Sequence, residues 1–281
     1  MTIGIGVLCS TMPKPHVPRP DAIVLLTDTI DPLDTDAVDE MHKTYIYPDE
    51  KLFAVSIGNM EKAEDLLLLI QREFQLLDER SPRSCTEVLD KAVHSHRIKH
   101  FQSDVLSPGD SLSPQDPKLI EAWHFYDVGV HLIIGTFSDE GLALMYLVAR
   151  VEGLNKRLHR LPSPGIAAIG KGGHSAHHWL YHRRQVSGRS VRQSAYHAYE
   201  AARIITRPRS AGASLEMIVA TKQTAFHLTH KDRESSGCPV SLLELESMFE
   251  KYGPRDTDQD LGHPKPSVSS SGKLKQAKSA G

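Results

Sequence analysis

Short unbroken apolar runs, separated by proline- and glycine-rich punctuation, set the rhythm of this chain. The first run opens at residue 2. Thr2-Ile-Gly-Ile-Gly-Val-Leu-Cys9 reads as a strand, so the beginning of the chain is predicted to lie in a sheet, where most chains fray. Pro13, Pro15, Pro18 and Pro20 follow and cannot sit inside a sheet ladder. Ala22–Thr27 is again continuously apolar, the pattern of a strand buried on both faces. Asp28–Glu40 is acidic and turn-like. Lys43–Tyr47 and Leu52–Ile57 read as a hairpin around Pro48-Asp49-Glu50.

The period then changes. Glu61–Leu77 carries apolar residues at 63, 66, 67, 70, 74 and 77, which predicts a helix, and Thr86–Phe101 predicts a second. Residues 103–118, with Pro108, Gly109, Pro114 and Pro117, read as a long loop. Val130–Phe137, Ala143–Val151 and Ile166–Ile169 are expected strands. Ser175–Arg184 and Ser190–Thr206 are expected helices. Ser214–Ala220 and Thr224–Thr229 are two more strands, and Leu242–Tyr252 is a last helix. Beyond Gly253 the chain is Pro-, Ser-, Gly- and Lys-rich with almost nothing apolar. The expected organisation is a folded domain over 1–253 and a disordered tail over 254–281. No internal repeat is visible. Strands joined by short turns should pair antiparallel, and strands this apolar need cover on both faces. Together these predict an α+β fold with two antiparallel sheets between helix layers.

Composition narrows the partners. The chain has 33 basic and 35 acidic residues, so no global field draws it to nucleic acid or an anionic membrane. No apolar run reaches the length of a membrane span, and no basic leader precedes Thr2. Cys9, Cys85 and Cys238 are odd in number and lack metal-site spacing, which fits a reducing, cytoplasmic setting.

The order of strands from residue 2 resembles that of the proteasome β-subunit and bacterial proteasome-like (HslV-type) family of N-terminal-nucleophile hydrolases, over residues 2 to about 230. Thr2-Ile-Gly-Ile-Gly-Val resembles the family's opening threonine strand. Leu26-Thr27-Asp28-Thr29 resembles its Asp-Thr-Arg-like element, and Lys43-Thr44-Tyr45-Ile46 its lysine-led strand. Ala54-Val-Ser-Ile-Gly58-Asn is similar to the strand that ends in glycine before a helix, and Ala168-Ile-Gly-Lys-Gly-Gly173 to a Gly-Ser-Gly segment. The resemblance implies a four-layer αββα sandwich and a threonine-type peptidase acting on peptide or unfolded protein. It also implies a homo-oligomeric ring with an unfoldase as a candidate partner, and no metal or organic cofactor. It assigns Thr2 as nucleophile after removal of Met1, Asp28 and Lys43 as supporting residues, Gly58 as oxyanion donor, and Ser56 and Met60 as flanks of the substrate side-chain pocket.

Chemistry supports those roles. A threonine hydroxyl needs an adjacent base, and an α-amino group with a pKa near 8 is one attached to the nucleophile itself. A nearby lysine lowers the hydroxyl's pKa, an aspartate orients that lysine, and a backbone N–H stabilises developing negative charge. Plainer readings stand beside them. Thr2 suits the start of any strand, Asp28 a strand-end turn, Lys43 a protected sheet edge and Gly58 a tight turn. The chain also departs from the family pattern. Lys171 stands in place of the serine between glycines, Ile30 in place of an arginine, and 207–212 lack an aspartate. Asp31-Pro32-Leu33-Asp34 has lost the small polar residues expected to pair with a substrate backbone. A catalytically degenerate scaffold subunit is therefore the alternative. Sixteen histidines are unusual, and His174, His178 and His182 share one helical face. A metal module there is a third reading, against an ordinary exposed polar face. An apolar helix face around Leu66–Ile70 is a candidate subunit contact.

Overall fold

The computed structural model describes residues 2–12, 19–28, 43–105, 117–149, 157–162, 164–206, 215–229 and 231–253. The expected turn at 29–40 and tail at 254–281 lie outside them, as do residues 13–18 and 106–116. Strands β1 (Ile3–Cys9), β2 (Ala22–Asp28), β3 (Thr44–Tyr47) and β4 (Leu52–Gly58) lead into helices α1 (Met60–Gln75), α2 (Pro82–Val105) and α3 (Pro117–Phe125). Strands β5 (Val130–Phe137), β6 (Ala143–Val148), β7 (Leu158–Arg160) and β8 (Ile166–Gly170) follow, then α4 (Gly173–His182) and α5 (Val191–Thr206). Strands β9 (Leu215–Thr221) and β10 (Ala225–Leu228) and helix α6 (Leu242–Tyr252) complete the described chain.

The strands form two five-stranded sheets, ordered β10-β9-β2-β1-β8 and β3-β4-β5-β6-β7. Every neighbouring pair is antiparallel. Alternation along each strand assigns its side chains to two different cores. In β1, Ile3, Ile5, Val7 and Cys9 pack beneath α4, α5 and α6, while Leu8 joins the layer between the sheets. In β4, Leu52 and Ala54 pack beneath α1 and α2, while Phe53, Val55 and Ile57 meet the first sheet. The result is an αββα sandwich, as the unbroken apolar strands predicted. Burial of each fully enclosed Leu, Ile or Phe contributes about 1.5–3 kcal/mol. An exposed helical pair such as Arg83–Glu87 contributes roughly 0.3–0.5 kcal/mol. The sandwich is therefore held by its three apolar layers.

Several expectations need correction. Helix α2 starts at Pro82, ahead of Thr86, because Ser81 and Pro82 form a helix start: the Ser84 N–H donates to Ser81 Oγ at 3.1 Å. It also runs to Val105, into the expected loop, and α3 begins within that loop's far end at Pro117. None of the α3 side chains is buried, although the helix carries Leu119, Ile120, Trp123 and Phe125; it is held by Arg97, which stacks 3.9 Å from the Trp123 ring centre. The expected exposed face at Leu66–Ile70 is not one: Leu66, Leu67 and Ile70 are buried beneath α2, and Leu68 alone is largely exposed. Among the described residues no helix is long and apolar enough to cross a membrane.

Candidate active site

Three strand ends and the residue that precedes β3 converge beside Thr2. The Ile3 N–H donates to Asp28 Oδ1 at 2.9 Å. Lys43 Nζ donates to the same oxygen at 3.1 Å and to the Asp28 carbonyl at 3.0 Å. Both side chains of this ion pair are buried, at 5% and 8% exposure. Thr27 Oγ1 donates to the Ile3 carbonyl at 2.9 Å, so β2 grips the residue after Thr2 from two adjacent positions. On the other side β8 pairs with β1, with Ile3 opposite Gly170. Gly170 approaches so closely that a Cβ there would lie 2.3 Å from the Thr2 carbonyl oxygen and 2.8 Å from Ile57 Cδ1. The end of β4, and with it Gly58, is thereby tied to the start of β1.

Gly58 closes β4 with φ +106°, a conformation L-residues rarely adopt, and a Cβ on it would sit 2.0 Å from the Gly129 carbonyl oxygen. That same carbonyl accepts the Asn59 N–H at 2.9 Å. Asn59 in turn caps α1, its Oδ1 accepting from Lys62 N–H at 3.0 Å. The turn from β4 into α1 is therefore rigidly specified, and the Gly58 backbone with it. Ser56 and Met60 lie on either side of this turn and touch: Ser56 Oγ donates to Met60 Sδ at 3.4 Å. The Ser56 N–H donates to the Lys43 carbonyl at 2.9 Å, which links this pair to the buried ion pair.

Thr2 thus sits one residue from a locked carboxylate–ammonium pair. Such an ammonium favours the deprotonated form of any hydroxyl presented to it. Thr27, Tyr45 and Gly129 also build the site, and the sequence reading missed their parts. Tyr45 lies against Ser56, and burial pushes its phenol pKa up. Its position two residues after Lys43, on the same side of β3, was the available signal. Next to the site, Thr44 Oγ1 donates to Glu216 Oε2 at 2.8 Å and lies 3.1 Å from His227 Nε2, a polar link between the two sheets.

Lys171, at the expected Gly-Ser-Gly position, is exposed at the turn into α4. His174, His177, His178 and His182 are exposed along α4, the polar face that the plainer reading anticipates. The inner face of α4 is tied to α5 by the buried Glu200, which accepts from Trp179 Nε1 at 2.9 Å and Arg183 Nε at 2.6 Å. Ile30, the 31–34 segment and the 207–212 segment lie outside the described residues.

No family model matches the chain, and no curated protein matches it by sequence. Among solved structures it is similar to one described as Anbu (ancestral beta-subunit) from Yersinia bercovieri, with a TM-score of 0.56 and 11% identity. The match covers 89% of this chain and 94% of that one. A likeness at that identity shows the fold, a proteasome-like sandwich, and reaches no further.

Proposed function

We propose that the chain is a threonine-type amide hydrolase, most simply an endopeptidase, with Thr2 as its nucleophile once Met1 is removed. The observation that carries this reading is the buried Asp28–Lys43 pair bonded to the Ile3 amide, directly after Thr2. In this mechanism the freed α-amine of Thr2 takes the hydroxyl proton as Oγ1 attacks the substrate carbonyl. Lys43 lowers the cost of the developing alkoxide, and Asp28 holds Lys43 in place. The Gly58 N–H stabilises the tetrahedral oxyanion. Collapse expels the amine, which takes the proton from the α-ammonium. Water, deprotonated by the same amine, then releases the acyl group and restores Thr2. Ser56 and Met60 flank the substrate side chain. Assembly into a ring, an unfoldase partner and a cytoplasmic setting belong to the same reading.

The test is intact-mass spectrometry before and after a β-lactone probe directed at threonine. Loss of Met1 followed by one adduct on Thr2 is expected. Retained Met1, or a processed chain that takes no label, would overturn the mechanism. That outcome would favour the alternative of a non-catalytic ring subunit, to which the exposed Lys171 in the glycine segment already points.

A further inference from the structure

Helices α1 and α2 carry a second cluster, unrelated to Thr2. Asp65 on α1 and His96 and His100, one turn apart on α2, bring one ligand atom each within 4.8 Å of the others. Among the described residues no other set of three His, Cys, Asp or Glu side chains does so. The His96 and His100 Nε2 atoms are both buried and have no hydrogen-bond partner among the described residues. His96 is only 4% exposed, so its bare nitrogen is an unexplained buried polar atom. The two rings stand edge to face with centroids 4.4 Å apart, and His100 Nε2 lies 3.7 Å from Asp65 Oδ2.

We propose that Asp65, His96 and His100 form a binding site for a divalent transition ion of the zinc class. Bonds of about 2.0–2.1 Å at a tetrahedral centre put neighbouring ligand atoms roughly 3.3 Å apart, close to the separation already present between His100 and Asp65. Two imidazoles and one carboxylate are a common three-ligand set for such an ion, leaving a fourth position for water. Metal binding needs neutral imidazoles, and burial holds the pKa values of both rings down, that of His96 to about 4. The nearby Lys62 backbone carbonyl acts on the His96 ring in the opposite direction, raising its pKa, but burial outweighs it. An open groove lined by Asp65, Ser95, His96 and Lys99 supplies an entry path. The competing group is Lys99, whose Nζ lies 2.5 Å from Asp65 Oδ2; its side chain is 66% exposed and can swing into solvent when a cation arrives. A bound ion would join α1 to α2 across the outer layer.

The test is a Co2+ titration of the chelator-stripped full chain, followed by its visible d–d absorption and by competition with Zn2+. One Co2+ per chain with a tetrahedral band is expected. His100→Asn and Asp65→Asn should each weaken binding by at least the roughly tenfold that losing a mere outer-shell partner costs. Lys99→Met should tighten it, because the ammonium no longer competes for Asp65; a purely structural Lys99–Asp65 pair would not produce that gain. Asp65→Asn and Lys99→Met alter exposed side chains, so they stand even if His100→Asn fails to fold. Absence of the band in both the parent and Lys99→Met overturns the proposal. So does binding that Asp65→Asn and His100→Asn leave unchanged, which would place the ion on other histidines such as those of α4.

Discussion

The Asp28 carboxylate accepts the amide proton of Ile3 at 2.9 Å and thereby fixes the backbone that presents Thr2. The same oxygen accepts from Lys43, so one buried carboxylate both positions the start of β1 and holds a cation beside it. Separating those two duties requires substitutions that keep one while removing the other.

Thr2→Ala removes the proposed nucleophile and leaves every described contact of β1 with β2 and β8 in place. Turnover of peptide substrates should fall by at least about 10³-fold, with unchanged assembly by sedimentation and unchanged thermal midpoint. Persisting turnover in this variant would eliminate Thr2 from the mechanism.

Lys43→Met leaves Asp28 charged, buried and without its cation, and is expected to lower stability by about 3–5 kcal/mol. Adding Asp28→Asn removes the uncompensated charge while retaining an oxygen for the Ile3 amide. The double variant should therefore be more stable than Lys43→Met alone, as measured by urea midpoints at fixed protein concentration. Two effects that simply add would mean the pair is not coupled.

Gly58→Ala and Gly129→Ala both place a side chain at positive φ, but in different surroundings. The Gly58 Cβ would meet a backbone carbonyl that cannot move without breaking the Asn59 cap turn, whereas nothing lies within 4 Å of a Cβ at Gly129. Backbone strain alone costs about 1–3 kcal/mol, so Gly129→Ala should fall in that range and Gly58→Ala clearly above it in denaturant titrations. Equal losses would show that the Gly58 turn is adaptable.

His96 is held at about 4 from its ordinary value of 6.5, chiefly by burial, with the neighbouring His100 acting in the same direction. His197 is likewise held at about 4 by burial. Below pH 6.5 the unfolded chain takes up protons at these two histidines that the folded chain excludes, so their contribution to stability falls as pH drops from 6.5 towards 4. Unfolding in chelator at about pH 7.5 and about pH 5 should show this loss, and His96→Gln should reduce the difference between the two. An equal difference in parent and variant would mean that His96 is already protonated in the native state.

Much of this architecture was legible because the two sheets are covered on both faces. Ile23, Val24, Leu25 and Leu26 are all fully buried, and a run of four consecutive apolar residues with no polar alternation announces that. Asp28, Lys43 and Gly58 are picked out as a set by the family resemblance alone; taken singly, each suits an ordinary strand boundary. Elements that bury little were not legible: α3 encloses no side chain, and β7 has three residues. The Asp65–His96–His100 cluster escaped because its members lie on two helices, and only packing brings them together. The α4 histidines drew attention by their spacing, yet spacing on one helix does not supply the buried, unpartnered nitrogens found on α2.

The seating of β1 between β2 and β8 also sets when residue 2 reaches its folded position during synthesis. Ile3 is registered against Gly170, more than half the chain away, and β2 waits for β9 on its other edge. On the ribosome, the first residues emerge early but have no complete lodging until residues 166–170 and 215–221 have been made. Contacts this distant in sequence form slowly and late. Residue 2 is thus in place only near the end of synthesis, so under the proposed chemistry the nascent chain is inert while its own unfolded segments are still within reach.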